Sequence, residues 1–541
     1  MRTLHALAPL AFASSALSAA VKTDTCADLW TTAPSLLPDL EVYKAEKISG
    51  NFCDPEYQSV AYPAAVPELP SLCRFGAWIH TSNRTKVQFE VFMPDDWSGR
   101  FAMVGNGGDA GGVNFPDMGI PVIKYKFAVA STDTGHWGTS GDGTFAAGNP
   151  ESQIDFGHRA VHLTAEYSKK IIKAYYGKEQ KKSYWLGCSS GGKQGLKEVQ
   201  AYPEDFDGVI AGAAAAYWQR LNAATYRYNA FVNVVDTPGY LNTSDYAVIG
   251  AHVLSQCDEL DGVKDSIIAD PDKCHPDLAP ILCSSPGANS SACISEAQAL
   301  TMERIWADYH AQNGTWIAPG FKHGAEGLPG FSVNGSPYGP APDYWNYQVQ
   351  NNTNTSAPFV VANETAFEAL INESLFTDPG QTFAADPNIE PFLSRGKLIT
   401  YVGGSDTLIP SGFTLRYWHE VQAALGWKDL SSSYRLFEIP GMGHCSGGPG
   451  AYNFGGPGQR QISLGGSGQS TTFDEEHDMV LAMIAWVEQG KAPSHLIGSK
   501  FKGDDYRNGT AFQRKFCPYP QQAVYVGGDT NYADSFECRY T

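Results

Sequence analysis

The sequence predicts an α/β fold, a mostly parallel sheet with helices on both faces, interrupted by one large inserted lid domain. Three observations predict it. Short apolar runs of strand length alternate with helix-period segments between about Val87 and Ala211. From about Tyr217 to Phe383 that alternation stops, and the chain becomes rich in Asn, Gly, Pro and closely spaced cysteines. At Lys397 the alternation resumes. With 541 residues there is enough chain for one large core carrying such an insertion. At 43% hydrophobic, 12% aromatic and 18% charged residues, the composition is that of a globular protein with many loops, not a disordered one.

Taken in order, Met1–Ala20 places Arg2 before an apolar run, Leu4 to Leu17, and ends in small residues, the pattern of a cleavable secretory signal. That run is too short to span a bilayer, and no later stretch is apolar for long enough, so no membrane association is expected and the mature protein should be extracellular. Ten Asn-x-Ser/Thr sequons, crowded between Asn242 and Asn372, fit a surface-rich, glycosylated middle region. A net charge of -19 lacks the basic clusters that phosphate backbones require, so nucleic acid is not an expected partner.

The first part of the core spans 21–216. Val87–Met93, Phe101–Val104 and Phe127–Ala130 read as strands. A helix follows from about Arg159 to Tyr176, with Ala160, Leu163, Tyr167, Ile171 and Ala174 spaced for one buried face. Tyr184–Leu186 reads as a strand, Gly191–Val199 as a helix and Gly208–Ala211 as a strand. The insertion occupies 217–387. The second part of the core, 388–541, supplies strands at Lys397–Val402 and Tyr434–Ile439, a Gly-rich loop from Gly447 to Gly468 and a closing helix, Met479–Val487.

Gly187-Cys188-Ser189-Ser190-Gly191 matches G-x-S-x-G at a strand-to-helix junction, where small neighbours allow the sharp turn that exposes a nucleophilic serine in an α/β-hydrolase fold. A serine hydroxyl needs a base and a carboxylate to hold that base, in the chain order Ser, acid, His. Asp406 and His444 each follow a core strand and satisfy that order. His136, His158, His162 and His477 are rivals for the base and read as packing or hydrogen-bonding residues, and Asp133 precedes Ser189 and breaks the order. Cys188 precedes the nucleophile and Cys445 follows the base, so a Ser–His contact brings the two within disulfide range.

The Cys188-Ser189 and His444-Cys445 pairs, with Asp406 between them, resemble the tannase and feruloyl esterase family of fungal and bacterial hydrolases. Gly105-Asn106-Gly107-Gly108 is similar to that family's Gly-rich oxyanion segment, and Arg159–His162 and Tyr184–Gly195 extend the resemblance to nearly the whole mature chain. Physically, the backbone N–H groups of Ser190 and of the Gly107-Gly108 turn are placed to hold a developing oxyanion. The resemblance implies esters of phenolic acids as substrates, with feruloyl esters of plant cell-wall sugars favoured over galloyl esters of tannins, and no organic cofactor. A catalytically inactive binding module is the reading from another class, and the full Ser, Asp and His set argues against it. Trp218, Tyr226, Tyr228, Trp306, Tyr309, Trp316, Tyr344, Trp345 and Tyr347 of the insertion are candidates to pack a phenolic ring or to build a core.

Between Cys257 and Ile267, three aspartates surround Gly262, an arrangement that fits either a hard cation or a solvated acidic loop. Family resemblance implies calcium, with Asp258, Asp261 and Asp265 as side-chain ligands and Val263 and Ile267 as carbonyl ligands. Of eleven cysteines in an oxidising compartment, an odd one is left over. Proximity and the resemblance suggest Cys26–Cys73, Cys257–Cys274, Cys283–Cys293 and Cys517–Cys538. Cys53 remains unpaired, because this chain has Gly111-Gly112 where relatives carry its partner.

Overall fold

Apolar, β-branched and aromatic runs form nine strands of one sheet in a computed structural model that describes residues 25–541 apart from 288, 290, 291, 338 and 460–471. The expected signal, Met1–Ala20, and much of the expected Gly447–Gly468 loop lie outside the described residues. The strands are β1 (Leu40–Phe52), β2 (Val66–His80), β3 (Lys86–Pro94), β4 (Arg100–Val104), β5 (Ala128–Thr132), β6 (Lys182–Cys188) and β7 (Gly208–Gly212). A short ladder in the insertion adds β8 (Tyr309–His310) and β9 (Trp316–Ala318), and the sheet is completed by β10 (Lys397–Gly403) and β11 (Tyr434–Ile439).

The sheet order is β1-β2-β3-β5-β4-β6-β7-β10-β11. From β5 to β11 every pairing is parallel, while β1, β2 and β3 add an antiparallel flank. β10 lies directly beside β7, with Leu398 opposite Val209. Everything between these two strands therefore leaves the sheet and returns to it at one point. β5 and β7 are buried along their whole length, as strands covered by helices on both faces must be.

The Ala160–Tyr176 helix buries Ala160, Val161, Thr164, Ala165, Ser168, Ile171, Ile172 and Ala174. Leu163 and Tyr167, expected on that face, are only half-buried. The buried face is centred on Val161, Thr164, Ala165, Ser168 and Ile172, so Leu163 and Tyr167 fall at its edge. The insertion holds regular helices that composition did not reveal, Trp218–Arg227, Thr243–Cys257, Glu296–Trp306 and Glu364–Ser374. Asn242 and Ser295 start two of them with reciprocal capping boxes. After the Met479–Gln489 helix, β12 (Leu496–Phe501) pairs with β13 (Thr510–Phe516), and the chain ends in a hairpin of β14 (Gln521–Tyr525) and β15 (Phe536–Tyr540).

Candidate active site

β6 ends at Cys188 and the Ser190–Ala201 helix starts two residues later, leaving Ser189 at the turn with φ 64° and ψ -126°. Its N–H donates to Gly212 O at 2.9 Å. The small neighbours are required by space. A Cβ on Gly187 would sit 2.3 Å from Gly191 O, and one on Gly105 would sit 2.4 Å from Gly191 Cα.

Asp406 follows β10 and is 2% exposed. Its Oδ2 lies 2.9 Å from His444 Nδ1, and its Oδ1 accepts the Leu408 and Ile409 N–H groups at 2.9 Å each. A carboxylate facing Nδ1 assigns the ring proton to that nitrogen and leaves Nε2 as the basic atom. Nε2 is buried and has no hydrogen-bond partner among the described residues. Ser189 and His444 line one cavity of about 460 Å³. The Cys188–Cys445 disulfide, with Cα atoms 6.1 Å apart, ties the nucleophile's turn to the loop after β11. The rival residues are placed otherwise: His136 Nε2 meets Asp109 O, His158 pairs with Tyr202 OH, His162 with Asp205, His477 with Asp474, and Asp133 accepts backbone N–H groups of Gln88 and Gly135.

The expected oxyanion donors divide. Gly107 N–H is already given to Tyr62 OH at 3.0 Å, which removes it from the set. Among the described residues Gly108 N–H has no acceptor, and Ser190, first in its helix, has no intrahelical acceptor for its own. Both residues line a slot of about 20 Å³ beside Ser189, on the side of the insertion. Gly108 has φ +57°, and a Cβ there would meet Ser140 O at 2.4 Å.

The walls differ from expectation as well. Of the insertion's candidate aromatics only Trp218 reaches the slot, with Leu221 and Thr225 beside it. Tyr226, Tyr228, Tyr309, Tyr344, Trp345 and Tyr347 are buried in the insertion's own packing, because each ring finds apolar neighbours there; Trp306 and Trp316 are half-buried. The larger cavity opens on the other side, against Ile120, Pro121, Lys124 and Tyr125 of a helix, Phe115–Tyr125, that sequence reasoning missed. Pro116 and Pro121 hid it. Asn114, whose side chain accepts Asp117 N–H, was the readable signal for its start.

Next to Gly108, Asp109 is fully buried, and among the described residues neither of its carboxylate oxygens is hydrogen-bonded. Burial pushes its carboxyl up to about 8, against the opposing pull of Lys193. Lys193, one turn beyond Ser189, is also buried, with Nζ 4.1 Å from the Phe156 and Trp218 ring centroids. Burial draws its ammonium down to about 7.

The acidic turn packs on the loop that carries His444, since a Cβ on Gly441 would meet Ile267 Cγ2 at 3.1 Å. Asp258 Oδ1 accepts from Asp265 and Ser266 N–H, Asp261 Oδ1 from Val263 N–H and Asp265 Oδ1 from Ile267 N–H. Asp265 Oδ2 accepts from Arg514 at 2.5 Å, while among the described residues Asp258 and Asp261 make no salt bridge and Lys264 acts on Asp258 only from a distance. Burial, with Asp265 and Asp258 nearby, raises the Asp261 carboxyl. An all-oxygen, negatively charged turn is the donor chemistry a hard cation takes, and these residues fit it. Their carboxylates are not drawn tightly together; among the described residues only His162, Glu198 and Asp205 bring ligand atoms within 4.8 Å of one another.

Cys26–Cys73, Cys257–Cys274, Cys283–Cys293 and Cys517–Cys538 are also bonded. Cys53 is free and exposed, with Sγ 3.0 Å from Gln58 Oε1. At Gly112 a Cβ would sit 2.0 Å from Ser59 Cβ, and Ser59 Oγ donates to Gly111 O. Ser59 thus fills the place next to the oxyanion turn and ties it down.

Residues 73–539 match the tannase and feruloyl esterase family. The chain is 34% identical over 551 residues to a probable feruloyl esterase B of Aspergillus clavatus, covering 99% of this chain and 100% of that protein. The crystal structure of feruloyl esterase B from Aspergillus oryzae superposes with a TM-score of 0.84 at 30% identity, covering 93% of this chain and 97% of the other. Tannin acyl hydrolase from Aspergillus niger shares the fold at 21% identity, with a TM-score of 0.71 and 96% of each chain covered. On this combination of matched length, identity and superposition, the chain belongs to the tannase and feruloyl esterase family.

Proposed function

We propose that this chain is a secreted serine esterase that hydrolyses phenolic-acid esters, chiefly feruloyl esters of plant cell-wall polysaccharides. One observation carries the catalytic reading: His444 is fixed by Asp406 through Nδ1, its Nε2 is unengaged among the described residues, and the residue lines the cavity that Ser189 also lines. In the first step Ser189 Oγ attacks the ester carbonyl and its proton passes to His444 Nε2. Asp406 stabilises the imidazolium, and the Ser190 and Gly108 N–H groups hold the oxyanion until the alcohol leaves with the proton. Water then attacks the acyl-enzyme by the same path, releasing the phenolic acid and restoring Ser189. The feruloyl preference follows the names of the relatives similar over the full chain.

The deciding experiment compares methyl ferulate with methyl gallate in parallel. A higher kcat/KM on ferulate is expected, and a preference for gallate would make the enzyme a tannase instead. Ser189→Ala is expected to lower kcat on either ester by about 10⁴-fold or more and to abolish labelling by a fluorophosphonate probe.

Secretion is supported by the five disulfides and by the absence, among the described residues, of any helix long and apolar enough to cross a membrane. Calcium in the Asp258, Asp261, Asp265 turn, with the Val263 and Ile267 carbonyls, is part of the same reading. Its role is structural, a positive centre that fixes the turn packed beneath the His444 loop. Chelation should lower Tm, and added calcium should restore it where magnesium does not. Identical melting curves in chelator and in calcium would remove the ion from the account.

A further inference from the structure

A second cleft, of about 620 Å³, lies on the far side of the Trp218–Arg227 helix from Ser189. Trp218 faces the slot beside the nucleophile, while its neighbours Tyr217, Gln219 and Arg220 line this cleft. The Ser190–Ala201 helix reaches it through Lys197 and Gln200, roughly 12–17 Å from Ser189 at about 1.5 Å of rise per residue.

Arg220 is the group without an explanation. Its Nη1 donates to Trp316 O, and its guanidinium lies 5.3 Å from the Trp316 ring, which Arg416 also faces at 3.8 Å. Arg416 is paired with Glu420 at 2.7 Å; Glu420 also acts on Arg220 from a distance, but among the described residues no carboxylate lies within salt-bridge distance of Arg220. Burial, and then the nearby Arg416 charge, pull the Arg220 guanidinium below its usual range, against a weaker opposing pull from Tyr217 and Glu420. A cation held partly out of water beside another cation is favourable only when an anion meets it, and the planar fork of arginine suits a carboxylate.

The rest of the cleft limits what can carry that carboxylate. Gln219 is 4% exposed and its buried Oε1 has no hydrogen-bond partner among the described residues, so an acceptor waits for a donor. Gln381 adds a further polar group, and the Asp378 and Asp386 carboxylates, already accepting from the Thr382, Phe383 and Asn388 N–H groups, can accept from hydroxyls but leave Arg220 as the place for an anion. Phe376, 90% exposed, and Phe383 offer uncovered ring faces at the rim. The occupant therefore combines one carboxylate, several hydroxyls and an apolar ring face. A free phenolic acid has the carboxylate and the ring but too few hydroxyls, and it is small for this volume.

We propose that this cleft binds a uronic-acid-bearing oligosaccharide, with the carboxylate on Arg220, hydroxyls on Gln219 and its polar neighbours, and an apolar sugar face on Phe376 and Phe383. The choice of a plant-type acidic saccharide rests on the feruloyl-ester reading, but the binding needs no turnover.

Calorimetric titration of the enzymatically deglycosylated full chain tests it, with glucuronic-acid-substituted xylotriose, unsubstituted xylotriose and ferulate as separate ligands. The acidic saccharide is expected to bind about tenfold more tightly than the neutral one. Arg220→Gln should erase that difference, and Phe376→Ala should weaken both saccharides. Both variants are expected to keep wild-type kcat/KM on methyl ferulate. The proposal is overturned if the wild-type protein binds neither saccharide, if it binds the two equally, if ferulate binds more tightly than the acidic saccharide, or if Arg220→Gln leaves acidic binding intact. Failure of the feruloyl reading would appear separately, as no hydrolysis of methyl ferulate.

Discussion

Asp406 gives each of its oxygens a separate task. Oδ2 orients His444, and Oδ1 holds the following turn through Leu408 and Ile409 N–H. Asparagine at this position keeps the second contact but turns an N–H₂ toward His444 Nδ1, which drives the ring proton to Nε2 and leaves no base facing Ser189. Asp406→Asn is therefore expected to reduce kcat by about 10⁴-fold while Tm barely moves, read by ester hydrolysis and a thermal melt. A loss of less than tenfold would send the search for the acid elsewhere. That Asp406 would meet His444 and that Ser189 and His444 would share a cavity was legible because chain order and position at strand ends are one-dimensional information. The Gly107 donor was not, because the hydroxyl that takes its N–H belongs to Tyr62, in a segment no local pattern connects to it. The aromatics of the insertion failed as pocket candidates for a related reason, since composition does not say which face of a helix meets the cavity.

The strand-to-loop joints that carry these residues are held together by one covalent tie. Cys188 ends β6 and Cys445 lies in the loop after β11, 257 residues later in sequence, so their bond closes a long loop and fixes two otherwise independent turns. Replacing both with serine is expected to cost about 2–4 kcal/mol of stability. It should also lower kcat more than it raises KM, because the spacing of Ser189 and His444 loosens while the cavity walls remain. Denaturant unfolding alongside steady-state kinetics checks this; wild-type kcat with reduced stability would confine the bond to a structural role. This pairing could be inferred from sequence because catalysis itself demands the proximity. β1, β2 and the Phe115–Tyr125 helix were not inferred. β1 buries only its end residues, Leu40 and Phe52, with little of the apolar alternation that marks a strand, and the helix carries two prolines in its first seven residues.

At the scale of the whole molecule, the break in α/β alternation gave the insertion its place, and the β7–β10 pairing shows why: the chain departs from one parallel strand and returns as its neighbour, so the sheet needs nothing from the residues between. Which helices fill that insertion was hidden by the long irregular segments between them. Charge buried at the seam between core and insertion has a consequence for the stability of the entire chain. Burial lifts Asp109 to about 8, above an unfolded value of about 4. The native protein therefore keeps a proton, between about pH 4 and pH 8, that the unfolded chain has already released, and stability is lost as pH rises through that window. Lys193, drawn down to about 7, acts with the opposite sign, but only above that pH, where the unfolded chain holds the extra proton. Asp109→Asn removes the first effect and leaves the lysine. Between pH 5 and 7 the wild-type protein is thus expected to lose stability relative to Asp109→Asn by at most about 1.4 kcal/mol per pH unit. Denaturant unfolding of both proteins across that range measures it, and curves that run parallel would mean that Asp109 is ionised in the folded state, with its charge met by Lys193.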